Sequence, residues 1–291
     1  DSKTYYGLAE VYSSSGELAK SATYYEKCIE FAKDPEEIKK AESLLLKTLY
    51  FLGDEHRFIT HLTKLISRNQ SNSVIGSFAC RAGAKFDKLI TNSFCNRPLD
   101  YVVEKSLLNS CDFEETFVAA ANQILQSANI QNKNQPLLLN GQQTAGNVFA
   151  SDNHFSQNIK KIIEQEIEKY RYMFKDSTEG LITQWPSSYR LSGWLVSYKT
   201  GGAIRPHMHE NGWISGSVYI NVPPRLKNDD GSLVVCIEDP KYAAGVNDKL
   251  NRTLNVVTGS MCLFPASLLH YTIPFQANED RVVLAFDVIR Q

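Results

Sequence analysis

The sequence predicts an α+β protein: an N-terminal α-helical repeat segment followed by an antiparallel β sandwich or barrel with supporting helices. Three observations carry that expectation. Residues 1 to about 70 place apolar side chains at helical spacing, with no strand signal among them. The helices recur as pairs joined through a glycine. After Trp185 the pattern changes to about seven short runs rich in β-branched and aromatic residues, punctuated by Gly and Pro.

Taken in order, 3–13 is the first helix, with Tyr5, Leu8, Ala9 and Tyr12 on one face. Gly16 breaks it, and 17–33 resumes with Ser21, Tyr25, Cys28 and Ile29. Asp34-Pro35 marks the next start, because Asp suits an N-cap and Pro the first helical position. Helix 36–52 runs to Gly53, 54–69 follows, and 74–86 continues the array. A shift of 37 residues carries Leu8, Ala9 and Tyr12 onto Leu45, Leu46 and Leu49, and Ser21, Tyr25 and Cys28 onto Phe58, Leu62 and Leu65. Of Tyr5, Tyr6, Tyr24 and Tyr25, most are expected in the core, although a peptide groove is the other role open to them.

Farther on, Asn96-Arg97-Pro98 reads as a turn, 112–128 as a helix, and the Asn- and Gln-rich 131–146 as a loop. Residues 156–174 form an amphipathic helix with Ile159, Ile162, Ile163, Ile167 and Tyr170 on one face. Strands are expected at 191–198, 213–222, 232–238, 254–257, 260–264, 270–273 and 281–289. Gly201-Gly202 reads as a turn and Asn228-Asp229-Asp230-Gly231 as a hairpin turn.

A length of 291 residues corresponds to about two domains at roughly 150 residues each. The expected boundaries are 1–90 for the repeats and 91–291 for the β domain, with 91–150 as a connecting region. Hydrophobic residues at 43% and charged residues at 22% exclude a disordered chain. A net charge of -1 argues against a nucleic-acid binder. No apolar run reaches the roughly 18 residues of a membrane span. Six scattered cysteines without a Cys-x-x-Cys pair read as thiols in a reducing compartment, so a cytoplasmic location is expected. The start at Asp1 rather than Met is read as a fragment or processed form, with further repeats expected upstream.

Three of the six histidines carry the chemical signal: His207, His209 and His270. In an extended segment, side chains two apart point the same way, so His207 and His209 face one point across Met208. His270 opens a later strand that a small barrel can bring alongside. Imidazoles converging in a barrel mouth suit Fe, Zn, Cu or Ni. Arg281 begins an otherwise apolar strand, and an inward guanidinium needs a partner such as a bidentate carboxylate. His56, His61 and His154 are read as structural or surface residues, and Arg205 and Trp213 as possible borders of the mouth.

Two resemblances follow from these residues. The first helix pair, with Leu8, a small residue, Tyr12, Gly16, Ser21, Tyr25 and Cys28, resembles a tetratricopeptide repeat. The second pair keeps the helix-Gly-helix skeleton without the small residues, and its shift of 37 exceeds the usual 34. Trp194-Leu-Val-Ser-Tyr198, Gly201-Gly202, Pro206-His207-Met208-His209, Trp213-Ile-Ser-Gly216-Ser-Val-Tyr219, Gly259-Ser-Met-Cys-Leu-Phe264-Pro265, His270 and Arg281 resemble the iron(II)- and 2-oxoglutarate-dependent oxygenases. The branch is the one that joins tetratricopeptide repeats to a prolyl-hydroxylase-like barrel, and Gly141 to Asn147 adds to the likeness.

That resemblance implies a double-stranded β-helix, or jelly roll, whose mouth holds Fe(II). It implies His207 as the first metal ligand, His270 as the distal histidine, and Arg281 as the partner of the distal carboxylate of 2-oxoglutarate. Tyr198 and Tyr219 match positions whose hydroxyls bond that cosubstrate, although both also read as ordinary strand aromatics. The implied reaction hydroxylates a C–H bond with O2 while 2-oxoglutarate is converted to succinate. A peptide or protein substrate is implied by the repeats.

One position departs from the family pattern. The facial triad is His-x-Asp/Glu with a distal His, and the carboxylate position here is His209. Either His209 ligates, giving a three-histidine site, or Glu210 swings in from the turn. Alternatively His209 aligns as the first ligand and water completes the site. The three-histidine set is the one carried forward. Two rival classes are a non-catalytic repeat-based interaction protein with a degenerate barrel, and a cupin-like metalloenzyme that does not use 2-oxoglutarate.

Overall fold

Capping chemistry punctuates the N-terminal residues. The computed structural model describes all residues except 69–70, 127–131, 134, 151–153 and 243–249. Parts of the expected helices 54–69 and 112–128, part of segment 131–146 and the side chain of His154 therefore lie outside the described residues. Helix α1 (Ser2–Ser14) starts at Asp1, whose carboxylate accepts the Thr4 N–H at 2.8 Å. α2 (Leu18–Phe31) follows Gly16, where φ is 79°. α3 (Pro35–Leu52) has Asp34 as its cap and Pro35 at its first position. Asp54 caps α4 (Glu55–Ser67), and Asn72 caps α5 (Ser73–Phe86).

These helices belong to one compact unit, Asp1–Ser93. Its first pair buries Ala9, Ser21, Ala22, Tyr25 and Cys28, and its second buries Leu45, Leu46, Leu49, Phe58, Leu62 and Leu65. Small residues let α1 and α2 approach closely enough for the Ser21 hydroxyl to donate to the Ala9 carbonyl at 2.9 Å. The tyrosines need a correction: of the four, only Tyr25 is buried, while Tyr5, Tyr6 and Tyr24 are partly exposed. Tyr5 and Tyr24 lie 6.3 Å apart with the Lys27 ammonium over both rings, so ring and cation contacts at the surface replace burial.

The second unit, Phe94–Gln291, is the β domain. It contains β1 (Val103–Ser106), a π-helical turn at Glu114–Val118 leading into α6 (Ala119–Gln126), β2 (Asn132–Lys133), β3 (Leu138–Thr144), α7 (His154–Met173) and α8 (Gly180–Thr183). The barrel strands follow: β4 (Tyr189–Ile204), β5 (Ile214–Asn221), β6 (Leu233–Cys236), β7 (Asn251–Leu254), β8 (Ser260–Pro265), β9 (Leu269–Thr272) and β10 (Arg281–Arg290). One sheet has the order β1-β8-β5-β10-β4-β3-β2 and the other β7-β6-β9, with antiparallel pairing throughout. Beyond β9 the small sheet gains a fourth line of chain through reciprocal backbone bonds of 3.2 and 2.8 Å between His207 and His270. Four lines facing the central four strands of the larger sheet make a double-stranded β-helix, the jelly roll of an α+β protein.

Alternation along β10 explains the layering. Val282, Leu284, Phe286 and Val288 turn outward, and Leu284, Phe286 and Val288 join a core with Ile159, Ile163, Ile167 and Tyr170 of α7. Arg281, Val283, Ala285 and Asp287 take the opposite face, toward the small sheet. On that inner side Val196, Tyr198, Tyr219, Leu233, Val235, Leu254 and Phe264 form a second core.

Several expectations are corrected here. Within segment 131–146, residues 138–144 form a strand rather than a loop, because β3 pairs with β4 and Thr144 Oγ1 accepts the Leu195 N–H at 3.1 Å. Gly201-Gly202 does not end a strand. β4 runs through it, with Gly201 at φ 73° donating its N–H to the Phe275 carbonyl at 2.6 Å. Asn228 to Gly231 does not close a hairpin, since β5 pairs in the large sheet and β6 in the small one. The strand expected at 254–257 lies at Asn251–Leu254. Asn255 and the Val256 carbonyl instead accept the Arg225 guanidinium at 2.9 and 2.6 Å. β1 carries no strand signal in its Val-Glu-Lys-Ser sequence, and its pairing with β8 supplies the order.

Candidate functional site

Strand register stacks the inner wall of the barrel in layers. Asp287 of β10 sits opposite Ser192 of β4 and Ser215 of β5. Ala285 is level with Trp194 and Ser217, Val283 with Val196 and Tyr219, and Arg281 with Tyr198. The small side chains of Ser217 and Ala285 leave room between two polar ends. His207, His209 and His270 line one part of this cavity, and Arg281, Tyr198, Tyr219 and Thr272 line another. All six residues expected from the sequence therefore border a single cavity.

The three imidazoles come from two places in the chain. The backbone bonds between His207 and His270 tie the segment after β4 to β9. The Gly212 N–H donates to the His209 carbonyl at 2.9 Å, closing a turn that holds His209 inward and leaves Glu210 exposed. One potential ligand atom from each histidine lies within 4.8 Å of the other two. Among the described residues this is the one group of three or more His, Cys, Asp or Glu side chains so arranged, and Glu210 is not in it.

Hydrogen bonding fixes which ring nitrogens are free. His207 Nδ1 stands 2.8 Å from the Arg205 carbonyl, and His209 Nδ1 stands 2.7 Å from Asp287 Oδ1. A carbonyl and a carboxylate only accept, so both Nδ1 atoms carry the proton. In the neutral rings both Nε2 atoms then present lone pairs, yet they are 3.2 Å apart. Two lone pairs cannot satisfy each other, whereas a cation between them can. Two nitrogens each about 2.1 Å from one ion, at angles of about 90–109°, stand about 3.0–3.4 Å apart, so the spacing fits a metal. Burial, with the neighbouring His209, lowers His207 to about 4, and burial holds His270 well below its ordinary value. Neutral imidazole is the ligating form.

Arg281 presents the complementary problem at the other polar region. It is 1% exposed, and none of its three guanidinium nitrogens has a hydrogen-bond partner. The Tyr219 and Tyr198 rings lie 5.1 and 5.8 Å from it. Burial lowers Arg281 from its ordinary value, and burial raises both tyrosine hydroxyls, which leaves them as donors. Space beside the guanidinium is kept by Gly231, where φ is 71° and an added Cβ would lie 3.2 Å from Arg281 Nη1. A buried cation with unused donors fits the carboxylate of a small dicarboxylic ligand.

Some residues take other places than expected. Trp213 does not border the mouth. It is buried, with Nε1 donating to the Leu181 carbonyl at 2.9 Å and its ring 4.9 Å from Phe94. Arg205 is exposed and reaches the site through its carbonyl. His61 is structural, with Nε2 at 2.9 Å from the Glu42 carbonyl, and His56 is exposed. Asp287, Ser215 and Trp194 border the histidines without a role having been read for them. For Asp287 the signal was available: it follows Arg281 at an even spacing in an apolar strand.

Residues 192–287 match the family described as "Putative 2OG-Fe(II) oxygenase", and residues 2–35 match the tetratricopeptide repeat. The barrel thus carries the pattern of the 2OG-Fe(II) oxygenases, whose cofactors are Fe(II), 2-oxoglutarate and O2, and the first helix pair carries that of the repeat. No curated protein matches the chain. Among solved structures it is similar to a Pseudomonas putida prolyl-4-hydroxylase at 13% identity and a TM-score of 0.47, covering 65% of this chain and 92% of that one. A Trichoplax adhaerens prolyl hydroxylase in complex with a hypoxia inducible factor peptide fragment is similar at 11% identity and 0.45, covering 72% and 89%. HygX from Streptomyces hygroscopicus, with nickel and 2-oxoglutarate bound, is similar at 12% identity and 0.44, covering 65% and 83%.

Proposed function

We propose that residues 94–291 form an iron(II)- and 2-oxoglutarate-dependent dioxygenase that hydroxylates a C–H bond of a peptide or protein side chain. The observation that carries the reading is the pairing, in one cavity, of converging bare imidazole nitrogens with a buried guanidinium whose donors are unused. His207 and His209 would hold the metal through Nε2, with a ring nitrogen of His270 completing the set. Arg281 would receive the distal carboxylate of 2-oxoglutarate, with the Tyr198 and Tyr219 hydroxyls beside it as donors. When bound, Fe(II) with 2-oxoglutarate and O2 supplies the oxidising power that converts R–H to R–OH and releases succinate and carbon dioxide.

The protein's own contribution is placement and exclusion. Val196, Val283, Leu233 and Phe264 line the cavity with apolar surface, which would disfavour water between the two polar regions. The Nδ1 bonds to Arg205 and Asp287 keep two imidazoles in the tautomer that binds. Tetratricopeptide-like helices at 2–35 support a polypeptide substrate, because stacked helix pairs offer extended surfaces to peptides.

Anaerobic reconstitution with Fe(II) and 2-oxoglutarate, followed by air, tests the proposal by the succinate formed. Succinate in the wild type and none after His270→Ala is expected. Equal succinate in the two would sink the assignment. His207→Ala and His270→Ala should each abolish metal binding, and normal iron binding by His209→Ala would remove His209 from the set. A cupin-like enzyme without a keto acid would leave Arg281→Ala active, whereas this reading has that variant lose 2-oxoglutarate binding.

A further inference from the structure

The carboxylate expected at position 209 is absent from the sequence, but a carboxylate is present in space. Asp287, near the end of β10, is buried, and its Oδ1 accepts from His209 Nδ1 at 2.7 Å and from the Ser215 hydroxyl at 2.8 Å. Ser215 Oγ also lies 3.3 Å from His209 Nδ1. Ser215 is the strand neighbour of Asp287 in the register of β5 and β10, so the acceptor is held by sheet pairing rather than by a free side chain. On the other side of the imidazole, Nε2 faces His207 Nε2 at 3.2 Å.

We infer that Asp287 is a positioning residue that acts on the metal through His209, supplying from β10 the negative charge that a His-x-Asp/Glu pattern would put directly on the ion. The inference rests on the metal-site reading above. A carboxylate on the far nitrogen of a ligating imidazole fixes its tautomer, fixes its ring plane and raises its basicity. It also lets a site of three neutral ligands carry one nearby negative charge. His207 has only the Arg205 carbonyl in the equivalent place, which makes His209 the more strongly polarised of the pair. The chemical role of position 209 is thereby divided between two residues that lie 78 apart in sequence and touch in the fold.

Cobalt(II) titration of the purified 291-residue chain, followed by the visible ligand-field absorption and by calorimetry, tests this without turnover. Asp287→Asn should bind cobalt 10–100-fold more weakly than the wild type, with an altered band shape. Asp287→Glu should recover part of the loss. In the His209→Ala background, Asp287→Asn should add nothing further, because its action passes through the missing ring. Thermal unfolding of the metal-free variants reports folding. Should Asp287→Asn not fold, Ser215→Ala, which loosens the same carboxylate, should give a smaller loss in the same direction.

Undiminished cobalt binding and an unchanged band in Asp287→Asn would overturn the inference. So would an equal loss from Asp287→Asn with and without His209, which would make Asp287 a ligand in its own right. A wild-type chain that binds no cobalt would instead overturn the metal-site reading on which the inference rests.

Discussion

At Arg281 a guanidinium has left water without gaining a hydrogen bond, an arrangement that costs several kcal/mol in any ordinary core. Its retention separates stability from function. Arg281→Met is expected to stabilise the ligand-free protein by about 1–4 kcal/mol while abolishing 2-oxoglutarate binding. Denaturant unfolding with and without 2-oxoglutarate checks both halves: the wild type should gain stability from the ligand, and the variant should gain none. A variant that is less stable without ligand would show that Arg281 holds the barrel together rather than waiting for a carboxylate. At this scale the sequence was most informative where a residue type is chemically extreme. The histidines and the arginine that opens an apolar strand could be singled out because each is costly where it stands. The even spacing of Asp287 from Arg281 puts it on the inner face, but its partners, His209 and Ser215, are adjacent only after β5, β10 and the turn have come together.

Among the elements, β10 does the most to define the site, since one face carries Arg281 and Asp287 and the other anchors the strand to α7. The anchor is Phe286, fully buried and lying over Gly216 of β5, where an added Cβ would come within 2.3 Å of the ring. Phe286→Ala should cost about 3–5 kcal/mol, and Gly216→Ala about 1–3 kcal/mol through overpacking. Equilibrium unfolding measures both, and a Gly216→Ala protein as stable as the wild type would show that the ring can move aside. Elements with regular periodicity, such as α7 and β10, were legible from the sequence for the same reason that they are well packed. β3 was not, because Asn and Gln do not mark a strand and only its pairing with β4 makes it one. The turn at 228–231 was recognised as a turn but not as a crossover, since turn chemistry does not say which sheet receives the next strand.

On the scale of the whole chain, the six site residues all fall in the unit Phe94–Gln291, and the tetratricopeptide match falls in the unit Asp1–Ser93. That division predicts separable roles. Residues 94–291 expressed alone should bind iron(II) and 2-oxoglutarate as the full chain does, and should lose turnover on a peptide substrate more than they lose cofactor affinity. Calorimetry on both proteins makes the comparison, and a fragment that folds but has lost iron affinity would contradict it. No helix among the described residues is long and apolar enough to cross a membrane. The claim on which the rest depends is that one cavity binds a metal and a keto acid together. Anaerobic titration of the iron(II)-loaded full chain with 2-oxoglutarate, followed by visible absorption, tests it most directly. The account predicts a charge-transfer band that saturates in the wild type and is absent from Arg281→Ala at the same concentrations, with iron binding retained. A wild-type protein that gives no band, or a band indifferent to Arg281→Ala, would contradict it.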